Sequence, residues 1–213
     1  TANPNKFIAL QYLIDYHRAK GHKILVFIDS IDILTEFARL LKYPFIIGDM
    51  KQYEREKILQ FFKLLPGWSV LFVSRVGDVG IDIPDANVAI EVSSQYGSRR
   101  QEAQRLGRIL RPKESRGEAF QSFFYTLVSL GTEETAYALK RQKFLVKQGY
   151  SFHVLEEAEL PYNAQPERRS AYKLASEEEQ KEFLDRVMVR SVVSGEGPRA
   201  QRKQTLQRGL VEG

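Results

Sequence analysis

The sequence contains no cysteine, and this absence excludes several classes of site at once. A chain without thiols forms no disulfide framework and offers no thiolate nucleophile, no iron–sulfur cluster and no cysteine-based zinc site. The three histidines, His17, His22 and His153, do not show the spacing of paired metal ligands. We therefore expect no metal site within the chain itself.

Long apolar runs are missing as well. No stretch approaches the roughly 18 apolar residues of a membrane-spanning helix, and no basic and then apolar segment opens the chain as a secretory signal would. We therefore expect no membrane partner. The 213 residues include 32 Lys and Arg against 27 Asp and Glu, and this net charge of +5 indicates only a mild attraction for anions.

Helical and strand patterns alternate along most of the chain. Short continuous apolar runs are typical of buried parallel strands, and they occur at 23–28, 44–47, 69–73, 87–92 and 120–127. Helical spacing of apolar residues separates them, and a long basic helix is predicted over 132–148. This alternation predicts an α/β fold with an open, mainly parallel sheet and helices on both faces. Ligand sites in such folds lie beyond the carboxyl ends of the strands.

Composition changes after about residue 156. A segment with two prolines and little apolar periodicity follows, and then Ser176 and Glu179 form a capping box that predicts a new helix. The end of the chain is rich in Gly, Ser, Gln and Arg, which is typical of a flexible segment. The predicted organisation is a domain over 1–155, a linker over 156–175, a helix over 176–190 and a flexible tail over 191–213.

The densest chemical signal is the segment 98–111, Ser-Arg-Arg-Gln-Glu-Ala-Gln-Arg-Leu-Gly-Arg-Ile-Leu-Arg, where five arginines face one acidic residue. Gln104, Arg108 and Arg111 are spaced so that a helix would place them on one face. Guanidinium groups on a rigid helix suit planar contacts to phosphate. A solvated basic helix is the alternative, but Gly107 in mid-helix costs about 1 kcal/mol, which favours close approach of a backbone or a ligand.

A loop rich in Gly and Asp follows the predicted strand 69–73 and runs from Ser74 to Pro84. Gly77 and Gly80 permit tight turns whose N–H groups can bind an anion, and the Asp82 carboxylate suits a ribose hydroxyl. An ordinary turn is the alternative.

Ser30 is a third candidate, because it follows the apolar strand at the start of a helix. Helix N-termini bind phosphate readily. An ordinary helix cap is the alternative for Ser30.

Taken together, these three segments resemble motifs of superfamily 2 helicases. Gln104 to Arg111 resembles the last motif of that superfamily, Ser74 to Pro84 resembles motif V, and the strand into Ser30 resembles motif IV. Longer stretches, at 93–111, 119–129 and 140–152, are similar to the XPB family of helicases, the DNA translocase subunits of the eukaryotic general transcription and repair factor TFIIH. This resemblance extends from about residue 3 to residue 154.

The resemblance implies a fold and a set of site residues. Such helicases close two RecA-like domains on ATP, and this chain resembles the second domain. By motif, Arg108 and Arg111 would be arginine fingers that contact the γ-phosphate as catalytic residues. Gly80 and Asp82 would bind the nucleotide in the interdomain cleft, with Asp82 near the ribose, and Gln104 would help to position the nucleotide or couple it to DNA.

The same motifs imply contacts to nucleic acid from Ser30, Ser74 and Gly77, with double-stranded DNA as the partner. Contacts of this kind reach the backbone phosphates and carry no sequence information. The resemblance further implies a 3′–5′ DNA helicase or translocase of promoter opening and nucleotide excision repair in the nucleus. Its other partners would be the N-terminal RecA-like lobe of the same protein and further TFIIH-type subunits.

Two short sequences that the family needs are absent. There is no Gly-Lys dipeptide and so no phosphate-binding loop of the form Gly-x-x-x-x-Gly-Lys-Ser/Thr, and there is no Asp-Glu dipeptide for a Mg²⁺ site. We therefore expect the absent N-terminal lobe to complete the sites for ATP and Mg²⁺, and we expect no ATP hydrolysis by this chain alone. The alternative is a RecA-fold docking module for partner subunits or repair nucleases, with little motor role.

Overall fold

A computed structural model of the chain describes residues 2–74, 86–92, 122–147, 149 and 153–193. The described residues form one five-stranded sheet in which every pairing is parallel. Its strands are β1 (Ile24–Phe27), β2 (Phe45–Ile46), β3 (Val70–Val73), β4 (Val88–Glu91) and β5 (Phe123–Thr126). The spatial order β2-β3-β1-β4-β5 places the first strand in the centre. The predicted parallel sheet is confirmed, although each strand is shorter than its apolar run.

The register aligns the carboxyl ends of the three central strands. Phe27 of β1 pairs with Val73 of β3 on one side and with Glu91 of β4 on the other. The segments that leave these strands therefore start from one common edge of the sheet.

Helices cover both faces of this sheet, as the alternating pattern predicts. The described α-helices are α1 (Pro4–Arg18), α2 (Ile31–Leu41), α3 (Gln52–Leu64), α4 (Glu133–Lys147), α5 (Pro166–Ser170) and α6 (Glu177–Val193). Side chains of α1, α2 and α6 pack with Val26 and Ile90 on one face. On the other face, Phe62 of α3 packs with Leu25 and Phe27.

The C-terminal helix α6 is part of the main core. Phe183 is fully buried, and its ring centroid lies 5.3 Å from that of Phe7 in α1 and 6.2 Å from that of Phe37 in α2. The predicted capping box is present, since Ser176 Oγ accepts a hydrogen bond from the Glu179 N–H at 3.2 Å while the Glu179 carboxylate accepts one from the Ser176 N–H. Local sequence therefore starts this helix, and aromatic packing holds it on the domain.

Segment 156–175 lies against α1. Tyr162 is fully buried, with its ring centroid 5.5 Å from that of Tyr12. The Gln11 side chain makes two hydrogen bonds to the backbone of Lys173, accepting from its N–H at 2.8 Å and donating to its carbonyl at 2.9 Å. A few contacts of this kind can hold a segment in place even though its sequence shows no helical repeat of apolar residues. The division of the chain into a domain and a linker stays a prediction.

A buried histidine near the opposite, amino-terminal edge of the sheet gives the fold a dependence on pH. His17 is fully buried in α1, with Nδ1 2.9 Å from His22 Nδ1 and Nε2 2.9 Å from the Tyr125 hydroxyl. Burial, assisted by the positive charge of His22 and Lys20, lowers the pKa of His17 to about 4. The folded state therefore holds His17 neutral.

We expect the stability of the chain to fall on acidification, because His17 becomes protonated in the unfolded chain at pH values where it is still neutral in the folded chain. The pKa is depressed on folding, so this contribution is intact above about pH 6.5 and is lost as the pH falls toward about 4, by about 3 kcal/mol overall. Urea unfolding at several pH values measures the loss. His17→Gln should flatten the profile, whereas the same change at the exposed His153 should not; parallel profiles for wild type and His17→Gln would contradict the assignment.

Candidate functional site at the carboxyl ends of the strands

Ser74 lies directly after β3 at the carboxyl edge of the sheet. Its N–H donates to the Ile46 carbonyl at 3.0 Å, which extends the β2–β3 ladder by one residue. The residue is only 3% exposed, and its hydroxyl makes no hydrogen bond within the described part of the chain. A buried hydroxyl without a partner is costly, so Ser74 Oγ marks this edge as a place where a ligand oxygen can be accommodated.

Ser30 lies three residues after the end of β1 and caps α2. Its backbone is extended, with φ −75° and ψ 117°, and its Oγ accepts a hydrogen bond from the Ile33 N–H at 3.5 Å. In the structure, Ser30 is therefore the N-cap of α2, as the alternative interpretation of this residue predicts. A cap uses a lone pair of the hydroxyl oxygen and leaves the hydroxyl hydrogen available to donate, so the nucleic-acid contact of Ser30 stays a prediction.

The other predicted site residues lie outside the described residues. These are Gly77, Gly80 and Asp82 in the segment 75–85, and Gln104, Arg108 and Arg111 in the segment 93–121. The first segment continues the chain from Ser74, and the second continues it from Val92. The sheet therefore brings together the starting points of both segments, and the roles of these six residues stay predictions.

Four charged residues gather where β4 ends, and three of them, Lys6, Glu91 and Glu134, are buried. Glu91, the last residue of β4, forms an ion pair with Arg141 of α4, with Oε2 and Nη1 2.9 Å apart. The Lys6 ammonium of α1 donates to the Val92 carbonyl at 2.9 Å and also to the Glu134 carboxylate of α4. The four side chains form two acid–base pairs, so the charges at the exit of β4 balance.

At Lys6 and Glu134, burial and ion pairing shift the side-chain pKa in opposite directions. Burial lowers the pKa of Lys6, and the carboxylates of Glu134 and Glu91 oppose that effect. Burial also tends to raise the pKa of Glu134, but the hydrogen bonds from Lys6 and from the Ser129 N–H, the latter at 3.0 Å, outweigh it and hold the pKa below its ordinary value. The Glu134 carboxylate is therefore ionised at neutral pH.

Sequence reasoning missed this cluster. One signal was available, because Glu91 is the single charged residue in the apolar run 87–92 and a lone charge in a buried strand needs a partner. The partners themselves are not readable from the sequence, since Lys6 and Glu134 are 128 positions apart.

The described residues offer little for a metal ion. No group of three or more His, Asp or Glu side chains among them is arranged to hold one. Within the same ranges, none of the helices has both the length and the apolar character needed to cross a bilayer.

Comparison with known proteins finds a family model that matches nearly the whole chain. The family model described as ERCC3/RAD25/XPB C-terminal helicase matches residues 1–210. The general transcription and DNA repair factor IIH helicase/translocase subunit XPB of Danio rerio is 49% identical over 176 residues, which cover 79% of this chain and 22% of that protein. The corresponding subunit XPB/SSL2 of Saccharomyces cerevisiae is 48% identical over 189 residues, with 89% and 22% covered. The chain thus spans about a fifth of the length of these relatives.

Solved structures agree on the fold. The E. coli DEAD-box protein SrmB, bound to regulator of ribonuclease activity A, aligns with a TM-score of 0.54 at 20% identity over 67% of this chain and 80% of that chain. A DEAD box protein from the hyperthermophile Methanococcus jannaschii aligns with a TM-score of 0.51 at 24% identity over 66% of this chain and 37% of that chain. The RecA-like fold is confirmed, and at these identities the likeness carries no more than the fold.

Proposed function

Because this chain belongs to the ERCC3/RAD25/XPB C-terminal helicase family, we propose that it is the C-terminal RecA-like lobe of an ATP-dependent 3′–5′ DNA helicase or translocase. The proposed setting is promoter opening and nucleotide excision repair in the nucleus, within a TFIIH-type assembly. The names of the relatives, helicase/translocase subunits of factor IIH, support this setting. The match over 1–210 carries the proposal, since it includes every candidate site residue.

The proposed catalytic residues are Arg108 and Arg111. Their guanidinium groups would contact the γ-phosphate of ATP and stabilise the charge that develops on its oxygens during phosphoryl transfer. Gln104, Gly80 and Asp82 would hold the nucleotide, with Asp82 near the ribose. Support comes from the sheet, because the segments that carry these residues continue from Ser74 and Val92 at the carboxyl edge, where α/β folds bind ligands.

The proposed contacts to double-stranded DNA come from Ser30, Ser74 and Gly77. The Ser74 hydroxyl is buried without a partner among the described residues, and the Ser30 hydroxyl keeps its hydrogen available beside the N-terminus of α2. Both hydroxyls can donate to a phosphate oxygen, and the positive end of the α2 dipole favours such an anion. These contacts would grip the DNA backbone without reading its sequence.

ATP and Mg²⁺ fit this chain only in part. The sequence supplies cationic and hydroxyl groups for the phosphates, but it lacks the Gly-Lys and Asp-Glu pairs of a phosphate loop and a Mg²⁺ site. The described residues likewise hold no cluster of potential metal ligands. In this proposal the N-terminal lobe supplies the phosphate loop and the Mg²⁺ site, and this chain supplies the other half of the active site.

Mixing the two lobes tests this division of labour. We expect the isolated chain, confirmed as folded by circular dichroism, to show no ATPase activity above buffer, with or without double-stranded DNA. Adding the separately produced N-terminal lobe should restore DNA-stimulated hydrolysis in proportion to the amount of complex formed. A Val189→Ala variant, changed at a residue that is 65% exposed on α6, should restore hydrolysis equally well. Turnover by the isolated chain would contradict the proposal.

A further inference from the structure

Charged side chains hold two consecutive residues at the exit of β4, namely Glu91 at the end of the strand and Val92 directly after it. The Glu91 side chain is paired with Arg141 of α4, and the Val92 carbonyl accepts from the Lys6 ammonium of α1. Glu134 of α4 completes the arrangement by accepting from Lys6 and from the Ser129 N–H. Two helices that are far apart in sequence thus meet at the point where the chain leaves the sheet.

A gain in the stability of the fold does not account for the burial of these charged side chains. Glu91, Lys6 and Glu134 are each less than 10% exposed, and desolvating such charges offsets most of what their attraction contributes. Apolar residues of similar volume would often hold a core equally well or better. What an ion pair adds is direction, because charged hydrogen bonds fix the donor and acceptor in one geometry.

The hydrogen bond from Lys6 holds one backbone position, the carbonyl of Val92. Among the described residues, Val92 is the last one before the segment 93–121, which contains Gln104, Arg108 and Arg111. The Lys6 ammonium hydrogen-bonds the Val92 carbonyl itself, and not only a neighbouring side chain. The cluster therefore holds the backbone of the residue that directly precedes the segment 93–121.

We propose that Lys6 and Glu134 are positioning residues for the arginine fingers, acting through the Val92 backbone. This inference rests on the proposed function of Arg108 and Arg111. Displacement of a catalytic group by about 1 Å can lower the rate by roughly 100-fold, so a small shift of the exit of β4 is enough to reduce kcat. Binding of ATP depends also on the N-terminal lobe and is affected less.

The test uses the full-length protein and the double variant Lys6→Met/Glu134→Gln. This pair of changes leaves no unpaired charge between the two positions, and Gln retains an acceptor for the Ser129 N–H, so we expect the fold to be retained. We expect kcat for DNA-stimulated ATP hydrolysis to fall by about tenfold or more, with KM for ATP changed by less than about twofold. Lys6→Arg, which keeps a charged donor at this site, should retain most of the activity.

Glu36→Gln is the matched control. Glu36 pairs with Arg186 and Arg190 between α2 and α6, each at 2.9 Å, away from the exit of β4. Losing that acid–base pairing should leave kcat unchanged. A fall in kcat for Glu36→Gln equal to that of the double variant would overturn the inference, because loss of any ion pair between helices would then have the same effect.

Combination with the variant Arg108→Lys/Arg111→Lys separates positioning from general damage. If Lys6 and Glu134 act through the two arginine fingers, the Lys6→Met/Glu134→Gln variant should lower the residual turnover of Arg108→Lys/Arg111→Lys by less than about twofold, since coupled groups are not additive. A multiplicative loss overturns the inference, and so does wild-type kcat in the double variant. Failure of the proposed function looks different, because Arg111→Ala would then retain normal turnover.

Discussion

Arg111→Ala in the full-length protein should lower kcat for DNA-stimulated ATP hydrolysis by about 10³–10⁵-fold, the range that arginine fingers contribute in other phosphoryl-transfer enzymes. The guanidinium is expected to stabilise charge that exists only in the transition state, so the loss should fall on kcat and leave the affinity for ATP nearly unchanged. Arg108→Ala should produce a loss of the same kind. Steady-state hydrolysis at saturating double-stranded DNA measures both variants.

The nature of the side chain provides a sharper control than its removal. Arg111→Lys keeps the positive charge but loses the planar fork that contacts two phosphate oxygens, so it should recover no more than a small part of the lost rate. Arg186→Ala on α6 should keep normal turnover, since Arg186 lies 45% exposed and pairs with Glu36. Normal turnover in Arg111→Ala, with an unchanged melting temperature, would remove the arginine-finger assignment and favour the docking-module alternative.

Phe183→Ala should be among the most damaging changes to the fold. Phe183 is fully buried, and its ring lies against those of Phe7 and Phe37, so truncation opens a cavity between α1, α2 and α6. Truncations of this type cost about 3–5 kcal/mol, a large fraction of the stability of a domain of this size. Urea unfolding of the chain measures the loss.

Val189→Ala on the same helix is the matched control for Phe183→Ala. Val189 is 65% exposed, and we expect a change in the free energy of unfolding within about 0.5 kcal/mol. If Phe183→Ala instead cost less than about 1 kcal/mol, α6 would contribute little to the core, and residues 156–175 would act as a linker to a separate helix. A large loss places α6 in the same cooperative unit as the sheet.

The apolar runs predicted the sheet well for a physical reason. A parallel strand that is covered by helices on both faces is buried on both faces, so each strand is continuously apolar in the sequence. Each of the five strands in the described part of the chain lies within such a run. The ends of the strands were predicted less well. Of the apolar run 120–127, only Phe123–Thr126 pair with a neighbouring strand, because pairing depends on how far β4 extends.

Segment 156–175 illustrates the limit of composition. Two prolines and weak apolar periodicity indicate a linker, yet Tyr162 and Leu174 are buried and Gln11 is hydrogen-bonded to the Lys173 backbone. A segment without regular helical periodicity can still be held by single anchors. Such anchors leave no repeating pattern for a sequence to display.

By itself, the sequence determined the class of fold, the family and the candidate arginines, because burial on both faces and short motifs are local patterns. Only the tertiary structure decided that Lys6 and Glu134 meet at the exit of β4 and that Phe183 packs on Phe7. The physical reason is range: periodicity and motifs operate over a few residues, whereas these partners are 128 and 176 positions apart and meet only once the sheet has been covered.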